Sequence, residues 1–187
     1  MANTQTNTPT KSTPPGKLKG GATPPIDAVT LLKQDHAVVK ALFKKFEDAE
    51  TEEQEEIADQ VCKLLTVHAT IEEEIFYPAA REAFTNEEDE ELVNEAEVEH
   101  GSAKELIALI EDMTSQDEKF TATVKVLSEQ IEHHVKEEES EFFPKLKKTG
   151  IDLQALGAEL SERKAELIDE LGLDEADADE EDEEEDE

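Results

Sequence analysis

An internal duplication constrains this chain more than any other feature. Residues 68–78 read HATIEEEIFYP and residues 134–144 read HVKEEESEFFP, so each copy has a His, a Glu four residues later, and then a Phe and a Pro. Another His precedes each copy at a similar distance, His36 in the first half and His100 in the second. Four of the five histidines therefore fall into two equivalent halves. This pattern predicts one site that is built from two similar halves of a fold.

The apolar residues predict an all-α fold, an up-down four-helix bundle with a short fifth helix at the C-terminus. Apolar side chains recur at steps of three and four through four long segments, as one face of a helix requires. Few aromatic residues and many Glu, Lys, Leu and Ala residues also favour helices over sheets. We expect helices to begin near Ile26, Thr51, Thr85, Thr114 or Ser115, and Asp152, and the first to end near Ala49.

Local signals refine the predicted ends of these helices. Thr51 with Gln54, and Thr85 with Glu88, have the spacing of a capping box, in which each side chain binds the other residue's backbone N–H. Gly150 is a plausible stop for the fourth helix, and Asp152 can cap the fifth. Pro78 and Pro144 remove a backbone donor late in the second and fourth helices, so each helix should kink or end there.

The predicted domain organisation has four parts. Residues 1–25 are rich in Thr, Pro, Lys and Gly, and we expect them to be a disordered tail. Residues 26–148 form the bundle, and residues 152–172 the fifth helix, which either caps the bundle or binds a protein partner. Residues 174–187 contain twelve acidic and no basic side chains, and we expect a second disordered tail.

The duplicated polar residues occupy positions that the apolar pattern assigns to the core. A buried carboxylate without a partner costs several kcal/mol or takes up a proton, and a domain is stabilised by only about 5–15 kcal/mol in total. A cluster of divalent cations removes this cost because imidazoles and carboxylates then become ligands. The candidate metal ligands are His36, His68, Glu72, His100, His134 and Glu138.

The spacing of these residues favours two ions. A step of four turns a helix by about 400°, so His68 and Glu72 lie about 40° apart and about 6 Å along the axis, and His134 and Glu138 do likewise. Each pair can therefore reach one metal centre, while the other two histidines approach from the remaining helices. Two histidines for each ion, with the two carboxylates as bridges, is the arrangement that fits best.

The same motifs resemble the hemerythrin-like domains of the HHE cation-binding family. The segments that carry the resemblance are LLKQDH, which ends at His36, HATIEEEIFYP, EVEH, which ends at His100, and HVKEEESEFFP. The resemblance spans about residues 26–148. It implies a four-helix bundle around a non-haem centre of two iron ions, joined by an oxo or hydroxo group and held by the six residues named above. The same ligands also accept zinc or manganese.

One departure from the oxygen carriers of this family concerns a fifth histidine. Those proteins have a His-x-x-x-His pair on the third helix, but the neighbours of His100 at that spacing are Ala96 and Lys104. His133 lies about 100° around its helix from His134, and we expect it at the surface or beside the ligands rather than in the site. Relatives with four His and two Glu are associated with peroxide, nitric oxide or oxygen handling and with iron sensing.

The other polar residues near the motifs have simpler interpretations. Glu73, Glu74, Glu137 and Glu139 should face solvent, because each is displaced by about 100° or more from a candidate ligand. Asp35 and Glu99 either orient an imidazole on a neighbouring helix or are solvated, and we favour solvation. Tyr77, which aligns with Phe143, is expected to pack rather than to take part in redox chemistry. Cys62 should be a half-buried, inert thiol.

Composition limits the partners and the location. The net charge is −33, and it is still −24 without the twelve acidic residues of 174–187 and the three lysines of 1–25. Such a surface repels phosphate backbones and keeps a monomer soluble, so nucleic acid is not an expected partner. A single cysteine allows no internal disulfide, and no apolar run predicts a signal peptide or a membrane span. We therefore expect a cytoplasmic protein.

Three functions are compatible with these features, and the sequence does not decide whether the chain is an enzyme. The first is redox chemistry with O2, hydrogen peroxide or NO, with catalase-like or peroxidase-like activity as the enzymatic form and no catalytic residues beyond the metal ligands. The second is a non-catalytic module that responds to O2 or iron and is recognised by a protein partner through the C-terminal helix. The third is iron buffering.

Overall fold

Five helices and no strand make up residues 26–173, which are the residues that the computed structural model describes. The expected tails, 1–25 and 174–187, lie outside the described residues. The helices are α1 (Ala28–Asp48), α2 (Thr51–Ile71, continued by Glu72–Phe76 and Tyr77–Ala83), α3 (Glu87–Glu111), α4 (Phe120–Glu137, continued by Glu138–Phe142 and Phe143–Thr149) and α5 (Leu153–Leu171).

The first four helices form the predicted bundle. Short connections join them, so consecutive helices run antiparallel: α1 packs against α2, α2 against α3, and α3 against α4, while α4 closes the ring on α1. The apolar stripes face the centre, where Leu32, Val61, Val93 and Leu127 are at most 1% exposed. The fifth helix packs against α1 and α2, so it caps one side of the bundle.

The expected capping boxes are wrong at both helices. Helix α2 does begin at Thr51, but its N-cap is Glu50, and the Gln54 side chain donates instead to the carbonyl of Phe46 at 3.2 Å. At α3 the N-cap is Asn86, whose side chain accepts from the backbone N–H of Asp89 at 2.9 Å. Asn is at least as good a cap as Thr, so the cap lies one residue after Thr85.

The start of α4 also differs from the prediction. The carboxylate of Asp117 accepts from the backbone N–H of Thr114 at 2.8 Å and closes a turn. Helix α4 therefore begins only at Phe120. Its end agrees with the sequence, because Gly150 adopts a left-handed conformation (φ 82°) and Asp152 then caps α5 by accepting from the N–H of Ala155.

Each proline follows a wide turn in a helix that neither ends nor restarts. Residues Glu72–Phe76 and Glu138–Phe142 form π-helical turns, and the backbone N–H groups of Tyr77 and Phe143 bond to the carbonyls of Glu72 and Glu138, five residues back. Pro78 and Pro144 come next, where the missing proline donor is tolerated because the ordinary pattern has already shifted. Both turns begin at a candidate metal ligand.

Within residues 26–173, the helices contain no apolar stretch that could span a lipid bilayer. The cytoplasmic location stays a prediction.

Candidate metal centre

All six candidate ligands converge in the middle of the bundle. They come from all four of its helices, and each is at most 6% exposed. The six are His36 from α1, His68 and Glu72 from α2, His100 from α3, and His134 and Glu138 from α4. The predicted set is thus one spatial cluster.

Glu72 lies between imidazoles from the two halves of the duplication. Its Oε2 atom is 3.2 Å from Nε2 of His68 and 3.4 Å from Nε2 of His100. The Nε2 atoms of His100 and His134 are themselves 3.2 Å apart. Two ligands at right angles on one ion are about 3 Å apart when each bond is about 2.1 Å, so these spacings fit neighbouring ligands of a shared ion.

Glu138 has the equivalent position on the other side. Its Oε2 atom is 3.3 Å from Nε2 of His36 and 3.6 Å from Nε2 of His134. Each carboxylate therefore contacts one histidine of its own half and one of the other half. Ligand atoms within 4.8 Å of one another form two groups that share Glu72. One group contains the histidines of the first half, and the other those of the second, as expected for two ions.

A carboxylate from a neighbouring helix holds the outer nitrogen of every histidine in the cluster. When Nδ1–H donates to a carboxylate, the lone pair of Nε2 points inward, which is the usual state of a metal-binding imidazole. The four pairs of Nδ1 and carboxylate are His36–Glu139 (3.0 Å), His68–Asp35 (3.3 Å), His100–Glu73 (3.1 Å) and His134–Glu99 (2.8 Å).

All four of these carboxylates differ from the sequence-based expectation. Asp35 and Glu99 orient imidazoles on neighbouring helices, and are not simply solvated. Glu73 and Glu139 do the same, although both were expected to face solvent. Both side chains stay 33% exposed, and each reaches across to the neighbouring helix from the position directly after a candidate ligand. Glu74 is exposed, as expected.

Tyr77 does more than pack. Its hydroxyl lies 3.1 Å from Oε1 of Glu138, 3.4 Å from Oε2 of Glu72 and 3.2 Å from Nε2 of His100. Burial raises its pKa well above the usual value, and the charges of the two carboxylates raise it further. The hydroxyl therefore stays protonated and donates a hydrogen bond at the centre of the cluster, a contact that the alignment with Phe143 did not reveal.

The electrostatic field of the cluster favours cations. Burial alone would lower the pKa of His36, but the neighbouring carboxylates of Glu138, 3.3 Å away, and Glu139, 3.0 Å away, raise it to about 9. Burial is likewise outweighed at His134, whose pKa is raised to about 9 by the charge of Glu138 and by Glu99. In the metal-free protein these histidines therefore bind protons, and a metal ion that enters would displace them.

Buried atoms without partners support a metal site over a purely structural polar core. Within the described residues, four buried side-chain atoms of the cluster have no hydrogen-bond partner: Nε2 of His36, Nε2 of His68, Oε1 of Glu72 and Oε2 of Glu138. Buried polar atoms are normally paired. Imidazole and carboxylate donors that converge without partners fit iron as well as zinc or manganese.

A small apolar cavity adjoins the cluster. It is lined by all four histidines and by Val39, Ile107 and Ile131, and its volume of about 20 Å³ leaves room for about one water-sized molecule. His36, Ile131 and Val135 line both this cavity and a groove between α1 and α4 at the surface. A second surface groove, between α3 and α4, shares His100, Ala103 and His134 with the cavity. A small molecule can therefore approach the cluster from either groove.

Two further sequence-based expectations concern residues beside the site. His133 stays outside the cluster: its side chain is 63% exposed and lies 3.4 Å from Glu137. Cys62 is buried rather than half-buried, and burial raises the pKa of its thiol to about 12. Such a thiol is inert, as expected.

Comparisons with known proteins agree with this geometry. The described helices resemble the crystal structure of a hemerythrin HHE cation-binding domain-containing protein from Mycobacterium kansasii, with a TM-score of 0.66 and 24% identity over 78% of this chain and 89% of that one. This likeness supports the fold.

A curated relative extends well beyond the matched region. The chain is 29% identical over 114 residues to a protein named DNA nickase from Nostoc sp.. The match covers 60% of this chain but only 31% of that protein, so the nickase name describes a protein about three times as long as the shared part.

Residues 27–146 match the family model of the hemerythrin HHE cation-binding domain. The match covers more than half of the chain and includes all six clustered residues. The two wide turns, the four carboxylate-held imidazoles and the unpaired buried atoms are therefore features of a metal-binding fold. The chain belongs to the hemerythrin HHE cation-binding family.

Proposed function

We propose that the six clustered side chains bind two iron ions, and that this centre turns over hydrogen peroxide or a related small oxidant such as O2 or NO. The observation that carries the proposal is the arrangement of the histidines. All four Nδ1 atoms are held by carboxylates, all four Nε2 atoms point inward, and two carboxylates lie between them. Iron, when bound, supplies the redox chemistry.

The protein itself holds the metal ligands, orients their imidazoles and excludes large molecules from the site. Asp35, Glu73, Glu99 and Glu139 fix the imidazoles, and the apolar walls of the small cavity limit access to molecules of a few atoms. Tyr77 holds a proton 3.1 Å from Glu138, where it can stabilise negative charge. A small inorganic oxidant suits this cavity better than an organic substrate.

Iron binding is tested by loading the protein with Fe(II) without oxygen and counting the bound ions. We expect two per chain. His68→Ala should lose at least one ion and most peroxide turnover, whereas His133→Ala, a change next to the site in the second half, should keep both. Full metal content and full turnover in His68→Ala would overturn the assignment.

The optical response to oxygen separates turnover from carriage. The Fe(II) protein is exposed to O2 and then purged with argon while the visible spectrum is recorded. Stable ferric bands that survive the purge favour peroxide or NO chemistry. Bands that vanish on purging would favour an oxygen carrier or sensor instead.

A further inference from the structure

Helix α5 reaches the metal centre although it lies beyond the residues that match the family. The Nζ atom of Lys164 is 2.6 Å from Oδ1 of Asp35, and Oδ2 of Asp35 is 3.3 Å from Nδ1 of His68. The Lys164 and Asp35 side chains are only 14% and 8% exposed. A cation on α5 therefore holds the carboxylate that orients one candidate ligand.

Two other contacts hold α5 in this position. Gly157 packs directly against the backbone at the start of α1, so closely that a Cβ there would lie 2.7 Å from the backbone nitrogen of Ala28. Arg163, the neighbour of Lys164, bonds to Glu74 in the wide turn of α2 at 2.8 Å. The helix is thus fixed both to α1 and to the turn that carries Glu72.

The second half of the duplication lacks this arrangement and serves as an internal comparison. Glu99 holds His134 as Asp35 holds His68, but the basic side chain beside it is the exposed His133, 3.7 Å away. The surface under α5 is also distinct, because the apolar residues that share a cleft with Asp35 and Lys164 in the first half are matched by polar residues in the second. The pairs, first half then second, are Val38 and Ser102, Leu64 and Gln130, and Val67 and His133.

We propose that Lys164 is a positioning residue of the metal centre, which fixes Asp35 and through it His68. A buried carboxylate that loses the cation beside it is no longer held in place and turns towards solvent, and this movement frees the imidazole. The ion held by the first half therefore depends on α5, whereas the ion held by the second half does not. This inference rests on the proposed function, because it assumes that the six residues bind two ions.

The test measures how fast each ion leaves the full-length protein. Wild type and variants are loaded with Fe(II) without oxygen, and a coloured chelator in excess records the release. Lys164→Met keeps the aliphatic stem and removes the charge. We expect release of one of the two ions to quicken by about three- to tenfold, less than the 10–100-fold typical when a direct partner of a ligand is lost. Lys164→Arg should restore the wild-type rate, and Lys63→Met, at an exposed pair on α2, is the matched control.

A double variant tests whether Lys164 acts through Asp35. Asp35→Asn should release one ion faster than Lys164→Met does, and adding Lys164→Met to it should change nothing further. The double variant Glu99→Gln with Lys164→Met should instead combine the effects that each single variant has on ion release, because Glu99 belongs to the other half. If Lys164→Met does not fold, Lys164→Gln, which also removes the charge but keeps a polar end group, replaces it in both comparisons.

The outcomes separate the two proposals. A wild-type chain that binds no iron would overturn the proposed function itself. A wild-type chain that binds two ions, with wild-type release in Lys164→Met or equal acceleration of both ions, would overturn only the role of Lys164. Additive effects of Lys164→Met and Asp35→Asn would do the same.

Discussion

At the scale of single residues, Tyr77 makes the two halves of the centre unequal. Its hydroxyl contacts Glu138, Glu72 and His100, whereas its counterpart Phe143 stacks on His36 with ring centres 6.0 Å apart. A hydrogen-bond donor is therefore present on one side of the cluster, and an apolar ring on the other. Any ligand between the halves meets two different environments.

Removing only the Tyr77 hydroxyl tests its role. We expect Tyr77→Phe to keep the fold and both ions, because the ring still packs. A hydrogen bond to a charged group contributes about 1.5–3 kcal/mol, so peroxide turnover should fall by about tenfold or more and the ferric visible spectrum should shift. Iron content and thermal unfolding serve as controls. An unchanged spectrum with unchanged turnover would show that Tyr77 only packs.

The buried thiol of Cys62 should make the free energy of unfolding depend on pH, independently of the metal centre. Burial raises its folded pKa to about 12, while an unfolded thiol has a pKa of about 8.5. A raised folded pKa contributes stability that is fully present below the unfolded pKa and is lost as the pH rises towards the folded value. Between pH 8 and pH 10, the wild type should therefore lose about 1–2 kcal/mol more free energy of unfolding than Cys62→Ala loses.

Urea unfolding of both proteins at the two pH values measures this difference. Other groups that titrate in this range are common to both proteins and cancel. Equal losses in the wild type and in Cys62→Ala would mean that the folded thiol ionises as readily as the unfolded one.

At the scale of helices, two glycines should respond in opposite ways to the same substitution. A Cβ on Gly157 would meet the backbone of Ile26 and Ala28, which cannot move as a side chain can, so Gly157→Ala should destabilise the protein by about 1–3 kcal/mol. Gly101 lies in α3 with nothing within 4 Å of an added Cβ. Gly101→Ala should stabilise by about 0.5–1 kcal/mol, because Ala favours a helix interior.

Urea unfolding at neutral pH measures both changes. If Gly157→Ala were as stable as the wild type, α5 would not pack against the start of α1 as the structure shows, and the basis for the Lys164 contact would weaken with it.

The helices were predictable from the sequence because their signal repeats over many residues. Some residues at the ends, such as Gly150 and Asp152, were predictable as well, but the cap of α3 was not: Thr85 and Asn86 both suit a cap, and only the packed chain decides which of them takes that position. The wide turns at Glu72 and Glu138 were also missed, since apolar spacing cannot distinguish a kink from one extra residue in a turn.

Among the site residues, local spacing revealed the inner cluster but not what surrounds it. His68 and Glu72 are four residues apart, so helix geometry alone brings them together. Lys164 and Asp35 are 129 positions apart, and no periodic pattern links them. Glu73 and Glu139 were placed in solvent because helical rotation indicates where a side chain begins, but not how far a long carboxylate side chain reaches towards a neighbouring helix.

At the scale of the whole molecule, we expect the net charge to affect how fast metal ions approach rather than the site that holds them. The chain carries −33, and the twelve acidic residues of 174–187 supply more than a third of that charge. Carboxylates on a surface raise the local concentration of cations and speed their association. The tail should therefore influence how fast iron arrives and leave the number of bound ions unchanged.

Truncation after Leu173 tests whether the tail affects the rate of loading but not the number of bound ions. It changes the net charge from −33 to −21 and leaves all six clustered residues in place. At low salt, we expect Fe(II) to load several-fold more slowly into the truncated chain than into the full chain. In about 1 M salt, where charges are screened within about 3 Å, the two rates should converge, and both proteins should still bind two ions. Equal rates at low salt would mean that the charge around the bundle itself attracts iron. A full-length chain that takes up many more than two ions, and a truncated chain that does not, would instead favour iron buffering by the tail.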